Sequence, residues 1–257
     1  MGLKTRKFFA TMVDIFRFTI ASFQVLVRFH RRQGLSSASR VVLAQVYFTG
    51  LEVLPFLSLI ALIVGFTVIV QSLPHLLGVG AHRLIGVILV ISIIRELGPL
   101  LTAVIVASRS GAAIVTELAT DKVLGEIEQL EAMGIDILHF IVVPRILGCI
   151  VATSCLIIYF DVVALIGGFL VAGFRTTMSF GIYMGYIFDA LTLNDVYISF
   201  SKSMVFGLII ALLCCYHGLS AGRAATEIPR VARSGVIESV FFVFVLSAVV
   251  SALFYLT

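Results

Sequence analysis

Several stretches of the chain reach or approach the roughly 20 consecutive apolar residues that an α-helix needs to cross a hydrocarbon core about 30 Å thick. They run about Leu51–Leu73, Leu84–Ala107, within Ile141–Ala172, about Ser203–Leu219 and Val236–Leu256. With a mean hydropathy of +1.15 and only 12% charged residues, a water-soluble fold would leave far more apolar surface than it could bury. The runs are continuous, without the alternation over about 10 residues of a transmembrane barrel strand, so the spans are helical. The expected fold is an all-α integral membrane protein with five transmembrane helices. Cys149, Cys155, Cys214 and Cys215 lie inside the apolar runs, where a cysteine packs as a small hydrophobe.

Residues 1–50 differ from the rest. Lys4, Arg6, Lys7, Arg17, Arg28, Arg31, Arg32 and Arg40 alternate with Phe8, Met12, Ile15, Phe16, Phe23, Leu26 and Val27 at helical spacing, and Asp14 and Arg17 interrupt what a signal peptide would keep apolar. The pattern predicts an amphipathic helix in the membrane interface, its cations toward anionic lipid, with packing against protein as the alternative. The five-span body follows as residues 51–257.

Basic residues also orient the spans. With the N-terminus inside, the segments expected in the cytoplasm hold fourteen cations, against three (Arg83, Arg175, Lys202) outside. The expected topology is therefore a multi-pass protein of an inner, cytoplasmic-type membrane, N-terminus cytoplasmic and C-terminus on the far side. The segment "GEIEQLEAMGID", Gly125–Asp136, is then cytoplasmic, and it carries Glu126, Glu128, Glu131 and Asp136. Leu124, Ile127, Leu130 and Met133 step along it every third residue, and Gly134 is placed to stop a helix. An apolar stripe with an acidic rim, within about 122–137, suits a protein partner better than an anionic leaflet. A solvated connector is the alternative.

The membrane-buried chemistry centres on "IIRELGPLLTA". Arg95 and Glu96 fall near the middle of the second span, where a charge costs about 2.5–3.5 kcal/mol on an insertion scale. Neighbours in sequence point roughly 100° apart on a helix, so the two are not expected to pair with each other. Pro99 cannot donate to the Arg95 carbonyl, and Gly98 loosens the same turn. Such a break is tolerated where it lines a cavity or is buried in protein. One reading is a polar lip in a transport cavity, with Arg95 offering a fork to phosphate; the other is structural pairing, for example with Asp161 or Glu52. Glu52 and Glu238 sit near span ends and read as interfacial. Ala61 and Gly65, Ala107 and Gly111, and Gly181 and Gly185 would allow close helix approach. Five spans enclose little, so a two-fold homodimer is the economical route to a central cavity.

No GxxxxGK[ST] phosphate loop, HExxH pair or GxSxG elbow is present, and His30, His75, His82, His139 and His217 lack ligand spacing. The chain is not expected to be an enzyme or to bind a cofactor or metal.

The stretch "RELGPLLTAVIVASRSGAAIVTELATDKVLGEIEQLEAMGID", Arg95–Asp136, followed by "VVPRILG", Val142–Gly148, resembles the MlaE/YrbE permeases, membrane subunits of ABC-type lipid transporters associated with MCE proteins. Weaker likeness covers the whole chain, including "ALIGGFLVAG", Ala164–Gly173. The last cytoplasmic loop departs from the pattern, with Glu227 and Pro229 at expected glycines and Ala232 and Arg233 at expected threonines. The resemblance implies a homodimer bound to separate cytoplasmic ATPase subunits, which would hold the ATP, below a periplasmic MCE-domain ring in a bacterial inner membrane, with no nucleic acid involved. Phospholipid would pass between the two copies, with Arg95, Glu96, Leu97 and Pro99 at its head group. Glu126, Ile127, Glu128, Leu130, Glu131, Met133 and Gly134 would form the coupling helix seated on the ATPase. Two other classes remain open: a stand-alone secondary lipid transporter or scramblase using Arg95, Glu96 and Asp161 as a relay, and a membrane scaffold.

Overall fold

The computed structural model describes residues 18, 45–47, 49–78, 83–176 and 178–256. Among these there is no strand, and five helices are long and apolar enough to cross a membrane. The all-α, multi-pass architecture is as expected. The interfacial helix of residues 1–50 lies outside the described residues except for Phe18, 45–47 and 49–50, which are helical. Phe18 packs edge-on against Tyr216, 5.7 Å between ring centres.

Helix α1 spans Leu54–Gly78. Pro55 occupies its second position, where an unpaired N–H would be missing anyway. Pro74, directly after the expected end of the span at about Leu73, lies inside the helix; so near the C-terminal end it removes a single backbone bond, and the helix continues past it.

The second span is one continuous helix of 40 residues, Leu84–Val123, rather than ending at Ala107. At 1.5 Å per residue it is about 60 Å long, twice the hydrocarbon core, so it projects from the membrane. The apolar run stops near Ala107; the backbone hydrogen bonding does not. It is built from α2 (Leu84–Leu89), a π-helical segment (Val90–Leu97), α3 (Gly98–Val106), a second π segment (Ala107–Gly111) and α4 (Ala112–Val123). A short helix, α5 (Glu126–Ala132), follows.

The third span covers 38 residues, Leu138–Arg175, of which Val143–Arg175 is α6, and like the apolar run within Ile141–Ala172 it is longer than a bilayer requires. Next come α7 (Phe180–Ala190) and α8 (Leu193–Leu219). The fourth span therefore starts ten residues before Ser203. The signal for its true start was a capping box: Thr192 accepts from the Asp195 amide while the Asp195 carboxylate accepts from the Thr192 amide. Lys202, counted as an external loop cation, consequently sits inside α8, only 2% exposed. The last helix is α9, Ile228–Leu256.

The most extensive helix contact is between α1 and α6, and its closeness depends on glycine. A Cβ on Gly65 would stand 1.8 Å from the Ala164 carbonyl oxygen, and Ala61 is fully buried. The Ala61/Gly65 pair thus serves the close approach read from the sequence. Ala107 is fully buried too, and a Cβ on Gly111 would lie 2.9 Å from Cys214 Sγ. Gly181 and Gly185 differ: added Cβ atoms there meet nothing within 4 Å among the described residues. Cys149, Cys214 and Cys215 are buried, Cys155 is exposed, and all are free thiols.

Candidate functional site: the broken second span

The π-helical turn over Val90–Leu97 is the local consequence of Gly98 and Pro99. The Gly98 amide donates to the Ile93 carbonyl five residues back, and Pro99 has no amide to give. The Arg95 carbonyl that Pro99 cannot serve accepts instead from Lys202 Nζ, at 2.9 Å. A lysine reaching from α8 thus repairs the backbone defect that the proline creates. This is how an irregular helix survives at membrane depth, by borrowing a donor from a neighbour.

Arg95 and Glu96 diverge, as their adjacency requires. Arg95 Nε lies 3.3 Å from Asp195 Oδ1 in the first turn of α8, and its guanidinium stacks over the Phe254 ring of α9 at 4.5 Å. Glu96 lies 3.2 Å from Lys202 Nζ. Ser251 Oγ is 2.8 Å from both Glu96 carboxylate oxygens and 3.0 Å from Lys202 Nζ. Asp195 and Lys202 are seven residues apart, two helical turns, so one face of α8 answers both charges of the second span.

The partners are thus Asp195 and Lys202 rather than the Asp161 or Glu52 named from the sequence. Glu52 is exposed, and Asp161 makes no hydrogen bond or ion pair among the described residues. Lys202 escaped the sequence reading because it stood in an assumed loop. The side chains of Arg95 and Asp195 are 12% and 7% exposed, yet they open on a cavity of about 270 Å³ whose wall includes Val87, Ile91, Asn194 and Phe254. Pro99 is buried beneath and Leu97 is half-buried. The cavity therefore presents one guanidinium, its carboxylate, an aromatic ring and the polar side chains of Thr192 and Asn194 beside an apolar remainder. Among the described residues, no three His, Cys, Asp or Glu side chains group as a metal site.

At the end of the bundle that carries α5, glycine sets the geometry. Gly125 and Gly134 have φ of +77° and +76°. Gly134 ends α5 as its position suggested: its amide bonds the Glu131 carbonyl at 2.9 Å and the Ile135 amide bonds the Leu130 carbonyl at 3.1 Å, a Schellman closure. The apolar stripe is split, however. Ile127 is buried in this chain, whereas Leu124 and Met133 are 63% and 75% exposed. They lie in the turns flanking α5, and a step of three residues drifts about 60° per repeat, so the four side chains cannot share one face. Leu130 is half-buried, Glu126 and Glu131 are exposed, and Glu128 meets Arg223 at 3.4 Å. Arg223 belongs to the loop after α8, which Glu227 closes by accepting the Gly222 amide at 3.0 Å. Behind α5, Lys122 Nζ donates to the Leu219 carbonyl at the C-terminus of α8, where a cation suits the helix dipole. Arg145, 8% exposed, pairs with Glu117 at 2.9 Å, and Glu238 pairs with His217 at 2.9 Å.

The family described as Permease MlaE matches residues 42–253, spanning both the broken second span and α5. The chain belongs to the MlaE permease family. A probable ABC transporter permease protein of Rickettsia typhi is 31% identical over 215 residues, 84% of this chain and 83% of its own. A second of that name, from Synechocystis, is 29% identical over 206 residues, 80% of this chain and 78% of its own. The chloroplastic protein TRIGALACTOSYLDIACYLGLYCEROL 1 of Arabidopsis thaliana is 28% identical over 216 residues, 84% of this chain and 62% of its own. The chain is thus an ABC transporter permease of the MlaE family.

Proposed function

We propose that this MlaE permease carries a phospholipid-class lipid through the membrane as a non-enzymatic subunit, with ATP bound and hydrolysed by a separate cytoplasmic ATPase. The observation that carries the reading is the Arg95–Asp195 pair on the wall of a partly apolar cavity beside the second span. A guanidinium recognises phosphate through a planar fork, and Phe254 holds that fork from behind. That the substrate is a lipid is further supported by the Arabidopsis relative, which is named after a diacylglycerol glycolipid. Two copies of the chain enclose the lipid path, an MCE-domain protein receives or delivers it at the periplasmic side, and the assembly sits in the inner membrane with α5 cytoplasmic.

In this reading α5 is the coupling helix. Leu124 and Met133, exposed at its two ends, are the apolar anchors, and Glu126 and Glu131 set partner and register. A relay through Arg95, Glu96 and Asp161 fits less well, because the first two are held by Asp195 and Lys202 and Asp161 bonds to neither.

Two experiments test this. In vesicles containing a photoactivatable phospholipid, Arg95→Ala reduces crosslinking to the cavity by about tenfold, the worth of one charge-assisted hydrogen bond, while the dimer persists. Undiminished crosslinking removes Arg95 from the lipid path. Separately, the double change Glu128→Arg and Glu131→Arg releases the ATPase on co-purification in mild detergent; an intact complex with full activity, or labelling that places residues 125–136 outside, ends the coupling assignment.

A further inference from the structure

A second membrane-depth cavity meets the π-helical segment at Ile94 rather than at Arg95. It measures about 210 Å³, lies between α6 and α8, and is walled by Ile157, Leu165 and Phe200 together with Asp161 and Ser199. Asp161 Oδ1 is buried and has no hydrogen-bond partner. It is pressed on the helix break, for a Cβ on Gly98 would stand 2.1 Å from it. Ser199 is also buried, and its hydroxyl makes no hydrogen bond among the described residues. The other two hydroxyls on the wall are engaged, Ser154 with the Ile150 carbonyl at 2.9 Å and Ser203 with the Phe200 carbonyl at 2.6 Å. Two helices therefore set groups without partners at one largely carbon-walled space, the Asp161 carboxyl, whose Oδ1 is turned to Gly98, and the Ser199 hydroxyl, where leaving such groups unbonded is costly.

The surroundings define what would bond them. The mouth is formed by exposed Ile158 and Val162 of α6 and Val196 of α8, so access is from hydrocarbon. A hard cation asks for about six or more oxygen ligands, and the unengaged groups of this wall, one carboxyl and one hydroxyl, offer at most three. The volume is below the roughly 300 Å³ at which drug-sized pockets begin, which suits one chain rather than a two-chain lipid. A hydroxyl both donates and accepts, and so satisfies a carboxyl group and a serine together.

We propose that this cavity binds a long-chain alcohol, its hydroxyl bonded to Asp161 and Ser199 and its chain laid against Ile157, Leu165 and Phe200. The site is distinct from the Arg95 cavity, and it does not depend on the transported substrate being a phospholipid.

The test uses a diazirine-bearing hexadecanol added to the full-length permease in nanodiscs, with labelled residues mapped by mass spectrometry. Labelling is expected to concentrate on α6 and α8 around the cavity and to be competed by unlabelled hexadecanol. Asp161→Leu reduces it about tenfold and Ser199→Ala several-fold, as expected for the loss of buried hydrogen bonds. Asp161→Asn, which keeps a donor and an acceptor, stays within about threefold of the unmodified protein. Label spread evenly over the outer helices, labelling unchanged in Ser199→Ala, or labelling lost in Asp161→Asn overturns the proposal; the last would mean that the site needs negative charge. Absence of any label overturns it too, as when a second copy covers this face. Should Asp161→Leu fail to fold, Ser199→Ala and Asp161→Asn decide between these outcomes.

Discussion

Lys202→Met destabilises the permease by about 3 kcal/mol, near the low end of the 3–5 kcal/mol expected when one partner of a buried ion pair is removed. The side chain of Lys202 is 1% exposed and that of Glu96 is 32% exposed, and the partial exposure of Glu96 places the loss at the low end. Methionine matches the length of the lysine stem, so packing is nearly conserved and the effect reports polar groups. Two are orphaned together: the Glu96 carboxylate, left with Ser251, and the Arg95 carbonyl, for which Pro99 offers no amide. The check is a double-mutant cycle of thermal unfolding in detergent with Glu96→Gln. The double variant is expected to recover part of the loss, because it no longer holds an unpaired charge, and to retain the part due to the carbonyl. If the two losses add without interaction, Lys202 is not holding the break closed through Glu96.

Gly65→Val separates α1 from α6 and costs about 3 kcal/mol or more, at or above the top of the usual overpacking range. The clash is with backbone: even the first added carbon would lie 1.8 Å from the Ala164 carbonyl oxygen and 2.7 Å from its carbon, and no rotamer relieves that. The neighbouring Gly167 approaches the Leu62 backbone reciprocally, with an added Cβ 2.6 Å from its carbonyl oxygen, so the helices cannot shift along one another to escape. Gly181→Val supplies the control, since its Cβ meets nothing within 4 Å among the described residues. The readout is the melting temperature of the detergent-solubilised protein. Equal melting of Gly65→Val and the unmodified chain would mean that the α1–α6 contact contributes nothing to stability.

These two positions also separate what was legible early from what was not. Gly65 could be suspected from its spacing to Ala61, because small residues four apart share a helix face whatever the partner is. Lys202 could not be, because a lone cation just before an apolar run looks like a loop anchor. Its burial depends on α8 beginning at Thr192, which a capping box of threonine and aspartate signalled only weakly. The same difficulty hid Asp195, the partner of Arg95. At α5 the acidic residues and the glycine stop were readable, but the apolar stripe was not one surface, since the helix is short and Ile127 turns back into its own chain.

Local chemistry accounts for what could be read along the chain. Hydrocarbon-length apolar runs require membrane-spanning helices, a proline at position 99 denies the Arg95 carbonyl its donor, and two neighbouring charges on a helix must look for different partners. These follow from backbone geometry and desolvation within a few residues, so no fold need be known. Which groups answer them is a matter of packing between distant segments. Lys202 lies 107 positions from the carbonyl it caps and Ser251 lies 155 from the carboxylate it bonds, and the choice of Asp195 over Asp161 for Arg95 depends on which helix face comes to lie against the break. No spacing rule carries that information, because it arises only when the helices are brought side by side.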